Sequence, residues 1–348
     1  MSMDFFLEFK LGAMVEYNTT ASPLVSVFMP TYNHEHLLAA SIESVLDQDF
    51  DDYELVIGDD ASTDGTYQVA AQYQQRYPDK IKLFRNEKNL GITGNCNAIL
   101  SHCSGKYIAF FSGDDIYLPG KLRKQVEMME AHPDCILCYH DIEVFRSETG
   151  ETIRYWNHGD HSSPPVTGAS KEVAESLVLK GTGFMAALSV MVRRDCVPKS
   201  GFNPRIPIAS DWLMWIDICA MSEGCVMFID EVLARYRKHV GSITESNMNY
   251  LLEILITITI VEENYQFLRS SAYYSYLDLL IKQAGWFHMR EEYTKAKGSI
   301  VKCYLELWKS WRWVGDNFGL LLKMTFHCYF PKCGSALRDM KAKWHDNL

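Results

Sequence analysis

Two carboxylates, Asp114 and Asp115, stand side by side in "FFSGDDIYLPGKL", directly after an apolar run that reaches Phe111. Adjacent like charges repel unless a cation or strong donors compensate them. Hard divalent cations take oxygen ligands and bridge protein carboxylates to substrate phosphates. The pair therefore reads as a phosphate–metal anchor, set against the plainer reading of a solvated turn that caps a helix. A second pair, Asp59-Asp60, ends the apolar run "YELVIGDD" and favours the anchor. The other spacing that could bind metal is the CxxC of Cys135 and Cys138. It lies within "CILCYHDIEVF", which has strand character, and no second pair follows. A buried thiol pair explains it better than zinc.

The acids need a scaffold, and the chain supplies an alternating one. "LVSVFMP" (24–30), "YELVIGDD" (53–60), "KIKLFRN" (80–86) and "KYIAFFSGDD" read as strands. Between them, apolar residues recur at helical spacing: Leu38, Ile42, Val45 and Leu46, then Val69, Tyr73 and Tyr77, then Cys96, Ile99, Leu100 and Cys103. Leu122, Val126 and Met129 line a further helix. Asn33 and Thr93 are expected to cap the first and third of these helices. Four rounds of strand and helix predict a mostly parallel, Rossmann-like sheet covered on both faces. Ligands of such sheets sit beyond the C-terminal strand ends. Pro30-Thr31-Tyr32, Asp59-Asp60 and Asp114-Asp115 would then share one rim. Strands are expected again at 135–145 and 186–194, with a polar loop at 157–170 between them. A helix is expected from Ser210, then a strand over "CVMFIDEVLARYRKH", and only helix beyond 243.

Composition narrows the function. The 348 residues carry 47% apolar and 22% charged side chains and a formal net charge of −10, which argues against a nucleic-acid partner. No run reaches the roughly 18 apolar residues of a membrane span. The N-terminal "MSMDFFLEFKLGAMVEY" is acidic and unlike a signal peptide, and ten cysteines then imply reduced thiols and a cytoplasmic protein. The first strand leads into "PTYNHEH", not GxGxxG or GxxxxGK[ST], which argues against a dinucleotide enzyme and a P-loop NTPase.

The order "VSVFMPTYNHEHLLAASIESVLDQDF", "YELVIGDDASTDGT", "NLGITGNCNAIL", "GKYIAFFSGDDIYLPGKLRKQV" resembles the family 2 glycosyltransferases, inverting nucleotide-sugar-dependent enzymes of the GT-A fold. The likeness runs from about residue 24 to 244. It implies that Pro30, Thr31 and Tyr32 touch the base and ribose, and that Asp60 accepts a hydrogen bond from the uracil ring. It implies that Asp115 binds a divalent metal, Mn²⁺ or Mg²⁺, and that Asp114 contacts ribose or metal. By the same likeness, Asp211 in "IASDWLMWI" is the catalytic base, with Asp217 as a fallback expected at the surface. The plainer reading of Asp211 is an acid favoured by the helix macrodipole. His239 in "YRKHVGSIT" resembles a late histidine that reaches back to the metal, and imidazole is an acceptable Mn²⁺ ligand. Arg235 or Arg237 could meet the diphosphate.

The resulting expectation is a GT-A catalytic domain over 22–240 and a helical C-terminal extension over 241–348. The implied activity is hexosyl or N-acetylhexosaminyl transfer from a UDP-sugar to a glycan or lipid-linked acceptor in surface polysaccharide synthesis. The alternatives are a nucleotidyltransferase, which would need a Gly-rich basic loop after strand one, and an inactive nucleotide-sugar-binding module. Residues 300–348 mix Trp308, Trp311 and Trp313 with Lys309, Arg312 and other cations. That mixture suits a peripheral membrane-interface helix on the inner face of the membrane or a homo-oligomer contact.

Overall fold

The computed structural model describes residues 22–160, 162–239, 250–272 and 275. The Trp- and Lys/Arg-rich tail lies outside the described residues. Three strands and three helices alternate first: β1 Val25–Thr31, α1 Leu38–Leu46, β2 Tyr53–Asp59, α2 Thr66–Arg76, β3 Ile81–Arg85 and α3 Gly91–His102. β4 Tyr107–Phe110, β5 Ile116–Tyr117, α4 Lys121–Ala131, β6 Cys135–Arg146, β7 Thr152–Tyr155, β8 Gly168–Ala169 and α5 Ser170–Lys180 follow. β9 Met191–Arg193, α6 Ser210–Met221, β10 Cys225–Lys238 and α7 Tyr250–Asn264 complete the set.

Among the described residues these strands form one sheet, ordered β3-β2-β1-β4-β9-β6-β10-β5, with β7 on β6 and β8 on β10. β3, β2, β1 and β4 run parallel, and so do β6 and β10; β9 and β5 are antiparallel insertions. This is the mixed, mostly parallel α/β arrangement expected. Alternate strand residues feed opposite faces: Val25, Val27 and Met29 pack under α1, α2 and α4, and Phe28 and Val56 under α3, α5 and α6. α7 contributes Leu255, Ile258 and Val261 to that second core. α7 thus packs on α6 and shares the core of the sheet.

Several local expectations are corrected. Asn33 does not cap α1, which starts at Leu38; its side chain binds the loop after β2 instead. Thr93 lies inside α3 and bonds towards α6. β4 ends at Phe110, so Asp114 and Asp115 lie in the turn that joins β4 to β5. The strand expected over 186–194 shrinks to β9, because Ala187–Ser189 forms a helical turn. Cys135 and Cys138 are both buried free thiols.

One buried cation carries a testable cost. Lys121 opens α4 and is 0% exposed. Its Nζ donates to Gln125 and lies 4.1 Å from the centre of the Tyr117 ring. Burial pushes the amine down from 10.5 to about 7. Folding therefore releases a proton between those values, and stability rises with pH across that window. The gap corresponds to roughly 5 kcal/mol of charge burial. It exceeds the approximately 1–3 kcal/mol for a Gln125 oxygen left without its donor. Lys121→Met should raise the denaturation midpoint near pH 7 and flatten its rise above that pH. A less stable variant, or an unchanged slope, would show that the amine stays charged in the fold.

Candidate active site

The rim is assembled from the C-terminal ends of β1 and β2 and the turn after β4. Thr31 and Asp59 are register partners, and the Asp60 N–H donates to the Thr31 carbonyl at 3.0 Å. The Gly113 N–H donates to the Pro30 carbonyl at 3.0 Å and folds the acidic turn against β1. A side chain at 113 would not fit, because a Cβ there would lie 2.8 Å from Thr31 Oγ1.

Asp114 occupies the centre. Its Oδ1 accepts from Ser112 Oγ, and its Oδ2 lies 3.3 Å from His239 Nε2 and 4.0 Å from His34 Nε2. Burial opposes its ionisation, but the His239 hydrogen bond and the His34 charge prevail and hold the carboxyl at about 2. The two imidazoles stand edge-on with centroids 6.3 Å apart. Asp115 lies beneath, 3% exposed, with Oδ1 accepting from the Arg237 N–H at 2.9 Å. Burial, and then the Asp114 charge, push its carboxyl well up. The Arg237 Nε donates to the Asp114 carbonyl at 2.7 Å. Arg235 is committed elsewhere, to Glu143 at 2.8 and 3.1 Å. Of the two arginines left open by the sequence, Arg237 is the one beside the acids.

The loops after β1 and β2 are tied to each other. The N–H groups of Asn33, His34 and Glu35 donate to Ser62 Oγ, Thr66 Oγ1 and Asp64 Oδ2 at 3.0, 2.7 and 3.2 Å. In return, Thr63 and Gly65 N–H donate to Asn33 Oδ1 and Glu35 Oε2 at 2.9 and 3.0 Å. Asn33 and Ala61 both adopt left-handed backbone, with φ of 54° and 57°. That conformation costs an alanine about 1–2 kcal/mol, strain of the kind found at ligand sites. Asp60 is 3% exposed, and its Oδ1 accepts from Asn86 Nδ2 and the Leu90 N–H, both at 2.8 Å. Tyr32 is 42% exposed on the rim, next to buried Thr31 and half-buried Pro30.

Asp211 lies in the first turn of α6. Its Oδ1 accepts from the Trp212 N–H at 2.9 Å, and its Oδ2 makes no hydrogen bond among the described residues. Burial pushes its carboxyl up, and the Glu253 charge adds to the shift. Cys96 on α3 is within electrostatic reach of both Asp211 and Asp60, and the two charges reinforce the effect of burial in raising its thiol. Asp217 is not a surface residue: Tyr265 donates to it at 2.6 Å, and burial pushes it up to about 6.

Among the described residues, no three His, Cys, Asp or Glu side chains stand close enough to cage a metal. Asp114 Oδ2 and His239 Nε2, 3.3 Å apart, still match a partial shell. Two neighbouring ligands of an octahedral ion, each at about 2.1 Å, are roughly 3 Å apart, and substrate phosphates can complete such a shell. From sequence, His34 in "PTYNHEH" has no assigned role; its signal is a histidine about one turn past the end of β1. Glu253, within the apolar run of α7, carries no such signal.

The model of glycosyl transferase family 2 matches residues 26–192. This segment is a family 2 glycosyltransferase domain. The glycosyltransferase domain resembles EpsE of Bacillus subtilis, 48% identical over 112 residues, which are 32% of this chain and 40% of EpsE. The chain therefore spans well under two thirds of that relative. It also resembles the UDP-Glc:alpha-D-GlcNAc-diphosphoundecaprenol beta-1,3-glucosyltransferase WfgD of Escherichia coli, 28% identical over 66% of this chain and 82% of WfgD. The fold matches the mannosyltransferase PcManGT of Pyrobaculum calidifontis, solved with GDP-Man and Mn²⁺, at a TM-score of 0.53. That match has 16% identity and covers 90% of this chain and 89% of the other. It supports the GT-A architecture. Among the described residues, no helix is long and apolar enough to cross a membrane.

Proposed function

We propose that the chain is an inverting glycosyltransferase that moves one sugar from a UDP-sugar to a hydroxyl of a glycan or lipid-linked oligosaccharide in surface polysaccharide synthesis. The observation that carries the reading is the meeting of Asp114, His34, His239 and Arg237 on the sheet rim bearing Asp60. In this reading Tyr32 and Thr31 face the base and ribose, and Asp60 accepts from the uracil ring N–H. Asp114 and His239, with Asp115 below, hold a divalent ion. Bound there, the ion supplies charge neutralisation to a departing diphosphate. Asp211 takes the proton of the acceptor hydroxyl through Oδ2 as that oxygen attacks the anomeric carbon. The bond to the diphosphate breaks on the opposite face, so configuration inverts. The likeness to WfgD, a UDP-Glc:alpha-D-GlcNAc-diphosphoundecaprenol beta-1,3-glucosyltransferase, supports this substrate class. No Gly-rich basic loop follows β1, which disfavours nucleotidyl transfer.

A panel of UDP-, GDP- and dTDP-sugars with Mn²⁺ tests the proposal. A UDP-sugar should release UDP by slow hydrolysis, and with an acceptor alcohol present NMR of the isolated glycoside should show the inverted anomer. Retained configuration, or no release from any UDP-sugar, would reject it.

A further inference from the structure

The segment that leads into Asp211 is held from two sides. On α3, Thr93 Oγ1 lies 2.6 Å from the Ile206 carbonyl and 2.8 Å from Ser210 Oγ. On α7, Glu253 Oε2 accepts the N–H groups of Ile208 and Ala209 at 3.1 and 2.6 Å. Those amides lie three and two residues before Asp211, at a helix start, where backbone donors lack intrahelical partners. Glu253 is 3% exposed, and its Oε1 is buried without a partner among the described residues. An unpaired buried carboxylate oxygen forfeits its hydration with nothing in return, a cost that a residue kept only for packing has no reason to carry.

We infer that Glu253 is a positioning residue for the base: its carboxylate clamps the Ile208 and Ala209 peptides and so sets the direction of Asp211. The inference rests on the proposed role of Asp211. It makes α7, which follows the family-matched segment by more than fifty residues, part of the catalytic machinery. The same charge acts on Asp211 electrostatically. Of the titratable groups around Asp211, Cys96 on α3 is a buried thiol whose ionisation burial suppresses, and Glu253 is the charged one.

Two variants of the full chain separate clamping from charge. Glu253→Ala frees both amides and should lower kcat for UDP-sugar hydrolysis by about 10²-fold, the scale of a misplaced group, with UDP affinity unchanged. Glu253→Gln keeps an oxygen for both N–H groups and should restore most of kcat. Losing the charge should also move the acidic limb of its pH–rate profile to lower pH. Amide exchange at Ile208 and Ala209 should quicken in the alanine variant and return to normal in the glutamine variant, a readout that needs no turnover. Wild-type kcat and amide exchange in Glu253→Ala would overturn the inference. So would equal loss of kcat and UDP binding in both variants. Failure of the base reading looks different: Asp211→Asn would keep its turnover while the amide readout still responds to Glu253.

Discussion

Asp211→Asn should cut turnover by about 10²–10⁴-fold, the usual contribution of a general base, and leave UDP affinity nearly unchanged. Asparagine keeps an oxygen to accept the Trp212 N–H, so the start of α6 should survive. The pH profile gives a second check. Burial and the Glu253 charge raise the Asp211 carboxyl, and a base works only when deprotonated. Wild-type rate should therefore climb as pH rises through that raised value, and the residual rate of the variant should lack this limb. Linkage has the opposite sign for stability. A raised carboxylate stabilises the fold while protonated, and that contribution is lost as pH rises through the folded value. Asp211→Asn should then be no less stable than wild type at pH 8. Loss of stability together with UDP binding would make Asp211 structural.

UDP should bind at least about 10-fold more tightly with Mn²⁺ than with chelator, a difference of about 1.4 kcal/mol. Asp114→Asn should abolish most of that gain, because Asp114 faces His239 across 3.3 Å at the proposed ion position. The turn should hold in this variant, since Arg237 grips the Asp114 carbonyl and not its carboxylate. Asp115→Asn should also weaken the metal-dependent part while its remaining oxygen still accepts the Arg237 N–H. Isothermal titration decides the matter. Metal-independent UDP binding in the wild type would remove the metal assignment for Asp114, Asp115 and His239 alike.

The sheet was legible because parallel strands buried on both faces are near-continuous apolar runs, and β1, β2 and β3 fall close to their expected bounds. The acids were legible because two adjacent like charges demand an explanation. The misread side chains share one cause: each bonded across the fold instead of to its own neighbours. Asn33 and Thr93 had the right chemistry for caps but found partners 30 and 113 residues away. Asp217 looked like surface because Tyr265, its partner, is 48 residues downstream. Glu253 sits in an apolar helix with no motif around it, and only α7 packing against α6 brings it to the segment before Asp211. Arg235 and Arg237 could not be ranked until Glu143 was seen to occupy the first of them.

The reciprocal ties between the loops after β1 and β2 bear on how long a nucleotide stays. Each loop has its backbone amides held by the other's side chains, so both lost their conformational freedom on folding. Ordering a free side chain or loop on binding costs about 0.5–1.5 kcal/mol per group, and little of that remains to be lost here. A modest set of contacts can then hold the donor in a defined pose without the deep affinity that would slow departure of the spent nucleotide. Rigidity on this side of the site would thus favour rapid turnover, one short-lived complex after another.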